Sequence, residues 1–135
     1  MAALTKNRST PRRERNRNTD PVAANVHIYA GALVVLDAAG NAAPATTATG
    51  LVPRGRALEE VDNNPGSAGD LYVDTDVGVF RFANLGADPI DRADIGEQAY
   101  IVDDQTVAAT NGSSSRSAAG RIVDVDDAGV WVEIA

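Results

Sequence analysis

The sequence predicts a mainly β fold: a small β-barrel or β-sandwich with a flexible, extended N-terminal arm. Three observations carry this expectation. No segment sustains a 3.6-residue apolar period beyond about two helical turns. The apolar stretches are short, rich in β-branched residues, and separated by Gly, Asn, Asp or Pro every ~8–12 residues, the spacing of a small barrel or sandwich. The first twenty residues have no apolar period after Leu4 and are rich in Arg, Asn, Ser, Thr and Pro, a composition that does not offset its own ordering entropy.

Charge divides the chain at the same place. Residues 1–20 hold six basic side chains (Lys6, Arg8, Arg12, Arg13, Arg15 and Arg17) against Glu14 and Asp20, a net of +4. Residues 21–135 hold six basic and seventeen acidic side chains, a net of −11. A body this acidic repels a nucleic-acid backbone or an anionic membrane, so only the arm can approach either. The expected organisation is therefore an arm over 1–20 and one β-rich domain over 21–135.

Along the domain, "VHIYAGALVVLD" (26–37) reads as two short strands around Gly31. "AAGNAAPATTATG" (38–50) reads as turn and loop. "GRALEEVDN" (55–63) reads as a strand running into a loop. "LYVDTDVGVFRF" (71–82) alternates, then resumes after Gly78. "IDRADIGEQ" (90–98) has room for one helical turn. "AYIVDDQTVAA" (99–109) is strand, tight turn and strand. "GRIVDVDDAGVWVEI" (120–134) is the clearest hairpin, with Asp127-Ala128-Gly129 at its tip.

The chain also echoes itself. "GRALEEVDN…AGDLYVD" (55–74) parallels "GRIVDVDDAGVWVE" (120–133), and "GALVVLD" (31–37) parallels "GEQAYIVD" (96–103). Two similar β-units, about 26–82 and 90–135, are one explanation. The shared grammar of β-proteins is the other.

Composition narrows the chemistry. Cysteine is absent, which removes disulfides and thiolate metal sites. No apolar run approaches the ~18 residues of a membrane span, and no secretory h-region follows the N-terminal charges. Aromatics are few (Tyr29, Tyr72, Phe80, Phe82, Tyr100 and Trp131), so Val, Ile, Leu and Ala must build the core. A modest core of this kind often goes with oligomerisation.

His27 is the sole histidine and lies in a strand pattern, where an edge position explains it better than catalysis. No G-x-S-x-G accompanies it, and the serines cluster in a loop at 113–117. Asp124, Asp126 and Asp127 before Gly129 imitate the start of a calcium loop, but Ala128 and Ala135 fall where ligands are needed. Asp70, Asp74 and Asp76 read as a solvated strand face. The only lysine is Lys6, so the domain has no Walker or Schiff-base lysine. The sequence predicts no catalytic residue, no cofactor and no metal, and a non-enzymatic protein.

The arm remains. A flexible polycation suits either nucleic acid, by counterion release, or an acidic protein surface, by guanidinium–carboxylate pairs. A plain solubility tail is the bland reading. The acidic body and the lack of interleaved aromatics disfavour nucleic acid.

Several stretches together resemble a family: "IYAGALVVLDAAGNAAPATTATG" (28–50), "VDN" (61–63), "GVFRF" (78–82), "DIGEQAYIVDDQTVA" (94–108) and "AAGRIVDVDDAGVWVEI" (118–134). They are similar to head decoration, or cement, proteins of tailed bacteriophages and prophages of the Mu-like siphophage type. The resemblance implies a structural virion protein on the capsid exterior, present in the host cytoplasm during assembly. Its partner would be the major capsid protein, and its state a homotrimer at three-fold and quasi-three-fold positions. It transfers no functional residues one by one. Under this expectation Lys6, Arg8, Arg12, Arg13, Arg15 and Arg17 form the capsid-binding arm. The alternative is a small nucleic-acid-binding accessory protein that uses the same arm.

Overall fold

The computed structural model describes residues 2–135. Twelve strands account for its regular structure: β1 (Arg17–Pro21), β2 (His27–Ile28), β3 (Leu33–Leu36), β4 (Ala42–Pro44), β5 (Val52–Ala57), β6 (Val61–Asp62), β7 (Tyr72–Asp76), β8 (Gly78–Asn84), β9 (Gln98–Ile101), β10 (Thr106–Ala108), β11 (Ala118–Asp126) and β12 (Gly129–Ile134). A single 3-10 turn, Arg92–Asp94, is capped by Asp91 in a reciprocal capping box with Asp94.

The strands form two units. β10-β8-β12-β11-β9 close into a barrel, so the choice between barrel and sandwich resolves to a barrel. β1-β7-β5-β3-β4 form a five-stranded sheet, and β2 and β6 pair as a separate ribbon. The sheet curls: a parallel bridge from Val22 to Ala42, with the Ala23 amide donating to the Ala42 carbonyl, brings its two edges together.

The two units share one wiring. In the first, the opening strand β1 pairs antiparallel with the closing strand β7, and β3 pairs with both β4 and β5. In the second, β8 pairs with β12, and β9 pairs with both β10 and β11. The parallel bridge of Val22 to Ala42 matches the parallel pairing of Asn84 with Val107. Even the irregularities agree. Between Val34–Gly55 and Val35–Pro53 the register skips Arg54, and between Ala99–Gly120 and Tyr100–Ala118 it skips Ala119. A constant offset of 65 positions relates these pairs. An offset of 62 relates β1 to β8, and one of 57 relates β7 to β12. The echo seen in the sequence is a duplicated topology.

The units meet earlier in the chain than the sequence predicts. β1 starts at Arg17, inside the stretch read as arm, and β8 belongs to the second unit although 78–82 was assigned to the first. Only Val77 separates the units along the backbone.

β3 explains how they pack. Leu33, Val34 and Val35 are all buried, which is why "LVVL" shows no alternation. Leu33 and Val35 join the second unit's core of Phe82, Ile101, Val107, Ile122, Val130, Val132 and Ile134. Val34 faces the first unit's core of Val22, Ile28, Ala42, Ala57, Val61 and Val73. One strand is therefore a wall common to both cores.

Matched positions differ in polarity. Phe82 and Ala119 of the second core correspond to Asp20 and Arg54 of the first, and Val132 corresponds to Thr75. Asp20 and Arg54 satisfy each other through two bonds of 2.8 and 3.0 Å. The Thr75 hydroxyl is buried without a partner. An unsatisfied buried hydroxyl costs ~1–3 kcal/mol. Thr75→Val is expected to stabilise the chain by about 1 kcal/mol, read as a higher denaturation midpoint at unchanged slope.

Candidate functional site

The six cations singled out in the sequence occupy two settings. Lys6, Arg8, Arg12, Arg13 and Arg15 lie in residues 2–16, which are exposed throughout and outside every strand. Their one side-chain hydrogen bond runs from Arg8 Nη1 to Thr10 Oγ1, 2.8 Å, within the arm itself. Arg17 begins β1 opposite Asp76 and is exposed. None of the six enters an ion pair among the described residues.

The body's cations are arranged differently. Arg54 pairs with Asp20, Arg56 with Asp76, Arg92 with Asp124 and Arg116 with Asp88. The Arg56 guanidinium also lies 4.7 Å from the centre of the Phe80 ring, and that of Arg81 lies 5.7 Å from the Trp131 ring. Among the described residues, only Arg121 of the body's cations, exposed and opposite Glu133 on β12, lacks such a contact. Positive charge on the body is thus largely spent internally, while positive charge on the arm faces solvent.

A rigid root holds the arm. The Asn16 carbonyl accepts from the Val77 amide at 3.2 Å and extends the β1–β7 ladder by one bond. Asn18 Nδ2 donates to the Arg54 carbonyl, and Thr19 Oγ1 donates to Asp74 at 2.6 Å. Asp20, only 8% exposed, locks β1 to the Arg54 bulge on β5. Sequence reasoning missed this lock because Asp20-Pro21 looks like a boundary. The signal available was polar alternation, with Asn18 and Asp20 turned toward the sheet and Arg17 and Thr19 exposed.

Two of the three carboxylates that imitated a metal loop, Asp126 and Asp124, are engaged within the protein. Asp126 accepts from the Ala128 and Gly129 amides and from the Trp131 indole N–H at 2.9 Å. That indole bond, then the turn amides, hold the Asp126 carboxyl below its ordinary pKa. Asp124 pairs with Arg92. The stripe is employed likewise: Asp70 caps the Ser67 amide, Asp74 accepts from Thr19, and Asp76 holds Arg56. No group of three metal-ligating side chains converges among the described residues. His27 sits on the β2–β6 ribbon with Nε2 2.6 Å from Glu60 and its ring stacked on Tyr29 at 4.2 Å.

Asp88 fastens the loop over 110–117. It accepts from the Thr110 hydroxyl at 2.6 Å and the Thr110 amide at 3.1 Å, and from Arg116 Nη1 at 2.8 Å. The Thr110 hydroxyl, then Arg116, depress its pKa against the opposing effect of burial. A carboxyl depressed on folding stabilises the fold above its unfolded pKa, and that contribution fades as pH falls through the folded value. Wild-type stability is therefore expected to drop below about pH 4. Asp88→Asn is expected to flatten that drop, measured as denaturation midpoints between about pH 6 and 2.

A concavity of about 470 Å³ is lined by Tyr29, Ala30, Gly31, Ala32, Asp104 and Gln105. It lies on the seam between the units, where Leu33 on β3 donates its amide to the Asp104 carbonyl. Burial, with the neighbouring Asp103 charge, pushes the Asp104 carboxyl above its usual pKa. No protein-family model matches the chain, and neither the curated proteins nor the solved structures include a match to it.

Proposed function

We propose that this chain is a structural decoration protein of a tailed-phage head, bound outside the shell with the major capsid protein as partner. One observation carries the reading: among the described residues the arm's cations are exposed and without ion pairs, while the body is acidic and its cations are largely committed internally. Such a chain presents two opposite surfaces. Its body stays soluble and resists indiscriminate self-association, while its arm seeks acidic protein.

The mechanism is ordering on contact. Each arm guanidinium that meets a carboxylate gives a modest, salt-sensitive gain, since exposed pairs are worth ~0.2–1 kcal/mol. Many copies on a repeated lattice convert modest gains into firm attachment. The paired units, which share the wall of β3, supply a stiff bridge between neighbouring shell subunits. A homotrimer at three-fold positions fits this role, because each body would then brace several neighbours.

A reconstruction of the mature head tests the reading. Density for the paired units on the outer surface at three-fold positions is expected. Its absence from the head, or its presence only with packaged DNA, would overturn it. Titration against duplex DNA separates the nucleic-acid alternative. The decoration reading expects no binding near physiological salt, and tight binding with a steep salt slope would replace it.

A further inference from the structure

Three neighbouring concavities are lined in common by Gly31, two of them on the seam between the units and the third on the first unit beside Arg56. Together they form a groove whose two ends differ in charge. At one end Arg56 and Arg81 lie against Phe80 and Trp131. At the other stand Tyr29 and Asp104. Asp103, next to it, is engaged, since its carboxylate accepts the Gln105 amide at 2.9 Å. Asp104 enters none of the chain's ion pairs among the described residues.

A carboxylate partly withdrawn from water and without a cation is an unfinished pair. Tyr29 is 59% exposed, and its ring is oriented by the stack on His27. A guanidinium completes both features, because it hydrogen-bonds a carboxylate through its fork and lies flat on an aromatic face. An ammonium, a point charge, would use the carboxylate alone.

The same chain carries the matching groups. Arg8, Arg12, Arg13 and Arg15 are exposed and unpaired on the arm. The arm's fifteen described residues, 2–16, span up to ~50 Å when extended. A domain of this size is roughly 35 Å across. The arm leaves at the β1–β7 edge, and among the described residues it makes no hydrogen bond with the seam, so its guanidinium groups remain available to a second copy within that reach.

We propose that the seam pocket of Tyr29 and Asp104 receives an arginine from the N-terminal arm of a second copy of the chain. Copies are then linked head to tail, a heterologous contact that closes into a ring when the rotation allows. This rests on the reading of the arm as a docking element. It adds that the neighbouring copy supplies part of the acidic surface the arm engages.

The cysteine-free sequence permits a direct test. Full-length Arg12→Cys and Gln105→Cys chains are mixed at low ionic strength under mild oxidation. A disulfide-linked heterodimer is expected, and about 0.5 M salt is expected to suppress it. Sedimentation of otherwise wild-type chains gives the second readout. Self-association is expected to weaken about ten-fold or more in Asp104→Asn and in Tyr29→Ala. A monomer at every concentration would overturn the proposal. So would association indifferent to both substitutions, or a cross-link that forms only within one chain carrying both cysteines. Shell binding that needs the arm, without the cross-link, would overturn this proposal and leave the docking reading intact. Loss of arm dependence from shell binding, with the cross-link present, would do the reverse.

Discussion

Asp20→Ala is expected to lower stability by about 3 kcal/mol, because it leaves the Arg54 guanidinium half-buried without its counter-charge. The duplicated topology turns this loss into a sharper experiment. The second unit places Phe82 and Ala119 where the first places Asp20 and Arg54, and both apolar residues are buried. Buried ion pairs are often replaceable by well-packed apolar residues at no cost. The double variant Asp20→Phe/Arg54→Ala is therefore expected to recover most of what Asp20→Ala loses. Urea unfolding of the three chains measures this. A double variant less stable than Asp20→Ala would show that the units' interiors are not equivalent.

Gly120→Ala is expected to be the other severe substitution, at a cost of about 3 kcal/mol or more. A Cβ at Gly120 would collide with the Glu133 carbonyl oxygen on β12, which is backbone and cannot swing aside. Gly55, its counterpart, meets the Asp76 carbonyl oxygen on β7 in the same way, at φ +137°. The glycine beside each bulge lets the closing strand approach, and the Arg that follows it stands opposite an acidic residue, Asp76 or Glu133. Gly40→Ala is the control. Gly40 is left-handed at φ +82° but faces open space, so only its backbone preference is lost, about 1 kcal/mol. Equal losses at Gly120 and Gly40 would contradict the close-approach argument.

Where side-chain pattern and turn chemistry agreed, the sequence was readable. The hairpin of β11 and β12 turns at Asp127 and Ala128, with Gly129 at φ +153° and Asp126 capping the turn. The turn between β9 and β10, the two short strands around Gly31 and the single turn at Arg92–Asp94 also stand where the sequence predicts them. β4 did not read as a strand because Ala42 and Ala43 carry no β-branched signal. Ala42 is nonetheless fully buried, a small residue filling a narrow interior, and Pro44 is tolerated near a sheet edge. β5 starts at Val52, three residues early, through Pro53. Pro53 pairs with β3 alone, since β7 joins β5 only at Arg56 and Ala57.

The arm and its root were legible to different degrees. Five of the six cations stand on the exposed stretch, as composition suggests, because Leu4 is the single large apolar residue among 2–16 and is itself exposed. The boundary at residue 20 was not legible, since β1 is held by polar side chains that resemble a linker. Nor was the seam pocket, because Tyr29 and Asp104 are 75 positions apart in sequence and only the packing of the units brings them together. A truncation that tests the arm must accordingly stop before Asn16, whose carbonyl belongs to the β1–β7 ladder.

Removal of residues 2–15 tests the central claim most directly. It takes away Lys6, Arg8, Arg12, Arg13 and Arg15 and leaves every strand in place. The truncated chain is expected to unfold at the wild-type denaturant midpoint, yet to bind assembled capsid shells about 100-fold more weakly in co-sedimentation at moderate salt. Full-strength shell binding by this well-folded truncated chain would contradict the account.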